Sequence, residues 1–198
     1  MISLGDDRLG IQTKPILLLT RADVRADLKL SPQAAAEAQI AIASLRRRAM
    51  TAMQKDARVG EAERREIDHI MTEWLRTHLS PQQSDRLHQI DLQWEGIAAV
   101  VHRPIVAEFM GISDSQRTSI RSLVNEHGKA RGAQPPTLQS HAALNSQGLG
   151  VLSEIQRDKW QRLLGQPCPF AISAQPVASA GAATTAPATT PRQVASGR

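Results

Sequence analysis

Four short strings constrain the fold of this chain more than anything else in it. They are Leu30-Ser31-Pro32-Gln33, Leu79-Ser80-Pro81-Gln82-Gln83, Ile112-Ser113-Asp114-Ser115-Gln116 and Leu152-Ser153-Glu154-Ile155-Gln156. Each puts an apolar residue before a serine, and the last three place a glutamine three positions after it. That is the grammar of a capping box. The serine oxygen accepts from the N3 amide, and the glutamine oxygen accepts from the amide of the serine. Pro32 and Pro81 fall at the first helical position, where a missing amide hydrogen costs nothing. Each string therefore announces a helix start. The first has Ala34 where the glutamine should stand, so Ser31 keeps its cap and loses the reciprocal bond.

The strings also alternate. Arg21, Val24, Leu28, Leu30 and Ser31 reappear as Arg103, Val106, Met110, Ile112 and Ser113, displaced by 82 residues. Asp85, Leu87 and Ile90 reappear as Asp158, Trp160 and Leu163, displaced by 73. The order A, B, A′, B′ points to duplication, with A a short helix feeding a long one and B a capped shorter helix. Between the caps, apolar residues step by three and four. Ile42, Leu45, Ala49 and Ala52 form one such stripe, and Ile67, Ile70, Met71, Trp74 and Leu75 form another. Leu87, Ile90, Trp94, Ile97 and Val101 follow Ser80, while Ile120, Leu123 and Val124 follow Ser113. Gly60 weakens the helix after Ser31, and Gly96 interrupts the run after Ser80. Gly132, Pro135 and Pro136 stop the helix after Ser113. A weak helix over Thr137 to Gln147 is expected to end at Gly148 and Gly150, and the last helix at Gly165 and Pro167.

The fold class expected is all-α: internally duplicated helical hairpin units, elongated or curved, with no sheet. Residues 171–198 are mostly Ala, Thr, Pro and Ser, too poor in large apolar groups to offset ordering entropy, and read as a disordered tail. Residues 1–14 read as a disordered N-terminal segment, which leaves a helical domain over 15–170 with pseudo-repeats at about 15–102 and 103–170.

Chemistry is harder to find. No two of the six histidines lie three or four apart, there is no HExxH string, and the lone Cys168 excludes an internal disulfide and a cysteine metal cage. Gly148-Leu149-Gly150 lacks the third glycine of a phosphate loop, and no serine sits in a Gly-x-Ser-x-Gly elbow. No catalytic, cofactor or metal residues are assigned, and a non-enzyme is expected. The net charge is +5, but the charges are mixed. Consecutive Arg46, Arg47 and Arg48 fan around a helix, and aromatic residues able to stack on bases are scarce, so nucleic acid is not expected as a partner. No apolar run is long enough for a membrane span, and Ile16 to Leu19 is too short for a signal-peptide core. The chain is then cytoplasmic, unless the start given lies downstream of an export signal. Met50, Met53 and Met71, flexible thioethers among small residues, are candidates for contact with varied apolar partners.

Leu79 to Gln83, Ile112 to Gln116 and Leu152 to Gln156 resemble the Leu-Thr-x-x-Gln signature of the Spy/CpxP family of small bacterial envelope proteins, with serine in place of threonine. The resemblance implies a bent helical hairpin, often dimeric as a cradle, in the periplasm or cell envelope. It also implies a function as an ATP-independent chaperone or stress sensor, with unfolded or partner protein as ligand and a homodimer possible. The alternatives are a metal-responsive sensor or resistance protein, using converged histidines and carboxylates, and a purely structural helical scaffold.

Overall fold

The computed structural model describes residues 15–54, 57–131 and 137–170, and among them every regular element is helical. The element that opens each half is short. Helix α1 (Pro15–Leu18) buries Ile16, Leu17 and Leu18, and α2 (Ala22–Asp27) buries Val24. The turn after α2 is closed by Leu30 N donating to Arg25 O at 3.0 Å and Lys29 N to Ala26 O at 3.0 Å. This Schellman arrangement needs a left-handed residue, and Lys29 takes it at φ 52°. Eighty-two residues on, α7 (Pro104–Met110) ends in the same way. There Ile112 N donates to Ala107 O at 3.0 Å and Gly111 N to Glu108 O at 2.9 Å, with Gly111 at φ 67°. The same turn is built once on a lysine and once on glycine, which adopts that conformation without steric cost.

Each turn feeds a long helix through one of the serine strings. Ser31 accepts from Ala34 N and opens α3 (Pro32–Met53), which is followed by α4 (Ala57–His78). The two run antiparallel: Arg48 pairs with Glu63, His78 lies 3.8 Å from Glu37, and a Cβ on Gly60 would stand 3.0 Å from the Ala52 carbonyl. Gly60 thus lies within the first turn of α4, where it permits close approach of α3. The chain leaves the helix at Gln54 and not at Gly60. Helices α8 (Asp114–Arg131) and α9 (Leu138–Val151) form the corresponding second pair. The expected end of α9 at its glycines is overturned, because the helix runs through Gly148 and Gly150 to Val151. The reason is packing. A Cβ on Gly148 would come within 2.6 Å of the Ile97 side chain, so the glycine lets α9 lie against that residue. The residues read as the stop of α8, Gly132, Pro135 and Pro136, lie outside the described set, as do 1–14 and 171–198.

The capped helices α5 (Pro81–Glu95) and α10 (Glu154–Leu164) close each half and pack on one another. Both end on a glycine in a region open only to glycine: Gly96 at φ 65°, ψ −151° and Gly165 at φ 62°, ψ −151°. After Gly96 a 3-10 turn (Gly96–Ala98) and α6 (Ala99–His102) bury Ile97, Ala99 and Val100. Two apolar cores result. The first gathers Ile16, Leu18, Leu19, Val24, Ile42, Ile67, Leu87 and Ile90, and the second Leu92, Ile97, Val106, Met110, Ile120, Leu144 and Trp160. Helix α5 contributes to both. The stretch after α10 returns to the first core, placing Cys168 inside it and Phe170 against it.

Candidate functional site

The serines sit where the strings placed them. Ser80, Ser113 and Ser153 are N-caps whose oxygens accept from Gln83, Gln116 and Gln156 N, and each glutamine oxygen accepts from its serine amide at 3.0–3.1 Å. A fourth capping box, Thr137 with Ser140, opens α9 and escaped notice because serine replaces the glutamine. The glutamines also act beyond their own helices. Gln83 donates its amide to Leu28 O at 3.0 Å, so the start of α5 is tied to the end of α2. Gln116 donates to Val151 O at 3.1 Å, Gln156 donates to Gly111 O at 2.8 Å, and the two amides exchange hydrogen bonds with each other at 2.8 and 3.1 Å. These glutamines are thus engaged in structural bonds, Gln116 and Gln156 with both amide hydrogens.

The methionines divide. Met71 is 3% exposed and belongs to the first core, so it cannot meet a partner at the surface. Met50 is 58% exposed on α3. The side chain of Met53 lies outside the described set.

Three polar groupings went unforeseen. The first centres on Asp91, a carboxylate 1% exposed near the C-terminal end of α5. Arg103 donates to Asp91 Oδ2 at 2.6 Å and also to Glu95, while His102 Nδ1 lies 2.9 Å from Glu95 Oε1. Burial pushes the Asp91 pKa up, outweighing the attraction of Arg103, and Oδ1 has no partner among the described residues. Arg103 stands at the N-terminus of α7, so this cluster pins the start of the second short helix to α5. The second grouping is Asn145, which accepts from Ile97 N at 2.7 Å and lies 3.2 Å from His141 Nδ1. A Cβ on Gly96 would come 2.2 Å from Asn145 Oδ1, so glycine is required there by space as well as by torsion. His141 is held below its ordinary pKa by burial.

The third grouping holds the C-terminal strap, Gly165–Phe170. Gln93 donates to Leu164 O and Gln166 O at 2.6 and 2.7 Å and accepts from Cys168 N at 2.7 Å. Arg86 forms a two-point ion pair with Asp27 at 2.7 and 2.9 Å and donates to Gln166 O at 2.7 Å. Cys168 is buried against Asp27, and its thiol pKa is pushed up to about 11, chiefly by burial and then by the charges of Asp27 and Asp23. A thiol held protonated in this way is inert at neutral pH. Phe170 meets Trp94 edge-on at 5.2 Å, and the Arg21 guanidinium lies over both rings.

The remaining feature is apolar. On α7, Ile105 is 76% exposed and Phe109, one turn later, 54%. On α10, Ile155 is 72% exposed, and one turn further Lys159 reaches Phe109, donating to its carbonyl at 3.2 Å with its ammonium 5.8 Å from the ring centroid. Lys159 and Phe109 thus meet across two helices that pack together, with Ile155 and Ile105 each one turn before them on its own helix. Among the described residues no group of three histidine, cysteine, aspartate or glutamate side chains is placed to hold a metal ion. No described helix is long and apolar enough to cross a membrane. Set against family models, curated proteins and solved structures, the chain matches none.

Proposed function

We propose that this chain is a non-catalytic protein-binding module, related in manner of action to the ATP-independent chaperones and stress sensors of the Spy/CpxP type, and that its two halves arose by duplication. One observation carries the binding reading. Ile105, Phe109 and Ile155 stand exposed on two helices that pack together, while the second core, to which both helices contribute, is closed. Scattered exposed apolar residues need no explanation, but three large ones on a pair of contacting helices, with the Lys159 ammonium beside one of them, are the kind of surface that meets another protein. The recurrence of left-handed turn, long helix pair and capped helix at constant offsets supports duplication, with α1 answering to the turn and helix at Ile97–Val100.

The reading is tested by adding the purified protein, without nucleotide, to a chemically denatured enzyme diluted into buffer. Light scattering should rise more slowly in proportion to the protein added. Scattering unchanged at several-fold molar excess rejects the chaperone-like activity. The metal-sensor alternative has no observation of comparable weight on its side.

A further inference from the structure

The first half of the molecule shows, partly covered, the face that the second half leaves open: the strap lies on Asp27 and Arg86, while Gln82 is exposed. At the offsets of 82 and 73 residues, Asp23, Asp27, Gln82 and Arg86 answer to Ile105, Phe109, Ile155 and Lys159. In the first half Asp27 neutralises Arg86, and the strap lies over the pair, its Gln166 carbonyl on Arg86 and Cys168 against Asp27. In the second half the cation is kept, while both aspartates and the glutamine have become large apolar residues. Lys159 has the Phe109 ring and carbonyl beside it and, among the described residues, no carboxylate partner.

We propose that the α7/α10 face binds a non-helical apolar peptide segment that carries a carboxylate. The proposal rests on the protein-binding reading above and supplies its site and the chemistry of its ligand. The segment is non-helical because the covered counterpart holds a stretch outside any helix, with a side-chain cation gripping its Gln166 backbone carbonyl. It is apolar because Ile105, Phe109 and Ile155 gain by leaving water. It bears a carboxylate because the acid that satisfies the cation in the first half is missing in the second. On binding, Lys159 turns from the Phe109 carbonyl to that carboxylate.

The test uses the full chain and two fluorescein-labelled dodecapeptides of Leu, Val, Pro and Phe, one with two aspartates and one with two lysines, followed by fluorescence anisotropy. The aspartate peptide should bind about tenfold more tightly, and the gap should narrow with salt. Ile105→Asp/Phe109→Asp, which restores the first-half acids at exposed positions, should lower its affinity at least about tenfold with circular dichroism unchanged. Lys159→Glu should reverse the preference, which keeps the test decisive if the double variant fails to fold. Equal binding of the two peptides, or undiminished binding by a folded double variant, overturns the proposal. A wild-type protein that protects the denatured enzyme yet binds neither peptide retains the chaperone-like reading and loses this site. One that does neither loses both.

Discussion

Two aspartates make opposite demands on pH. Hydrogen bonds from Arg86 hold the Asp27 carboxyl below the ordinary carboxylate range, so the fold prefers its charged form. The stability it contributes is complete above about pH 4 and is lost as pH falls through the lowered value. Asp91 is the reverse: burial raises its pKa, so the fold prefers the neutral form and carries a penalty at neutral pH. That penalty lifts as pH falls from the raised value toward about 4, where the unfolded chain also takes up the proton. In thermal melts between pH 3 and 7, wild type should therefore gain on Asp91→Asn as the solution is acidified. Its advantage over Asp27→Asn should shrink only below about pH 4. Parallel curves for either variant would remove the corresponding argument. Neither role was legible in the chain. Asp91 looks like one more polar residue on an amphipathic helix until Arg103, twelve positions away, is folded back onto it.

At the level of the helix, what could be read was whatever is local. The serine caps of α3, α5, α8 and α10 depend on residues three apart, and all four helices begin where the strings say. The glutamine after each later serine was readable as a cap but not as a tie to another helix, since Leu28, Val151 and Gly111 lie 35 to 55 residues from the glutamines they meet. Glycines misled for a related reason. A glycine within a helical pattern reads as a break, but Gly60 and Gly148 stay helical because their missing Cβ admits a neighbouring chain. Replacing Ser80 by alanine should lower stability by about 0.5–2 kcal/mol, since one amide at the start of α5 loses its acceptor. Ser84→Ala, one turn into the same helix, should be nearly silent. Equal shifts in denaturant midpoint for the two variants would contradict the cap assignment. Gly128→Ala offers a control of opposite sign. Its Cβ would meet nothing within 4 Å in the interior of α8, so it should add about 0.5–1 kcal/mol.

Across the whole molecule, the all-helical class followed from composition and period, but the arrangement of the cores did not. The apolar stripe Leu87, Ile90, Trp94, Ile97 and Val101 reads as one face, yet the fold splits it, giving Leu87, Ile90 and Trp94 to one core and Ile97 and Val101 to the other. Nor does Gly165-Gln166-Pro167-Cys168-Pro169-Phe170 advertise that it returns to the first half, because the groups that receive it, Gln93 and Arg86, look ordinary on their own helix. Two deletions separate the strap from the residues beyond it. Removing residues 171–198, which hold little apolar surface to bury, should leave the melting temperature nearly unchanged. Removing 166–198 also strips Cys168 and Phe170 from the first core and leaves Gln93 and Arg86 short of acceptors. It should lower the melting temperature by several degrees, since a loss of about 1 kcal/mol alone moves a domain of this size by roughly 2–4 °C. Equal melting of the two truncated proteins would show that the strap contributes nothing.

The strap also sets the order in which the protein can be completed as it is made. The partners of Gln93 and Arg86 lie 71 to 80 residues further along the chain. The half synthesised first therefore leaves the ribosome with its seat empty and part of its core wet. It stays so until α10 and the strap behind it have emerged. Release of that short stretch from the exit tunnel, more than the appearance of any one helix, is the moment at which the first half is sealed.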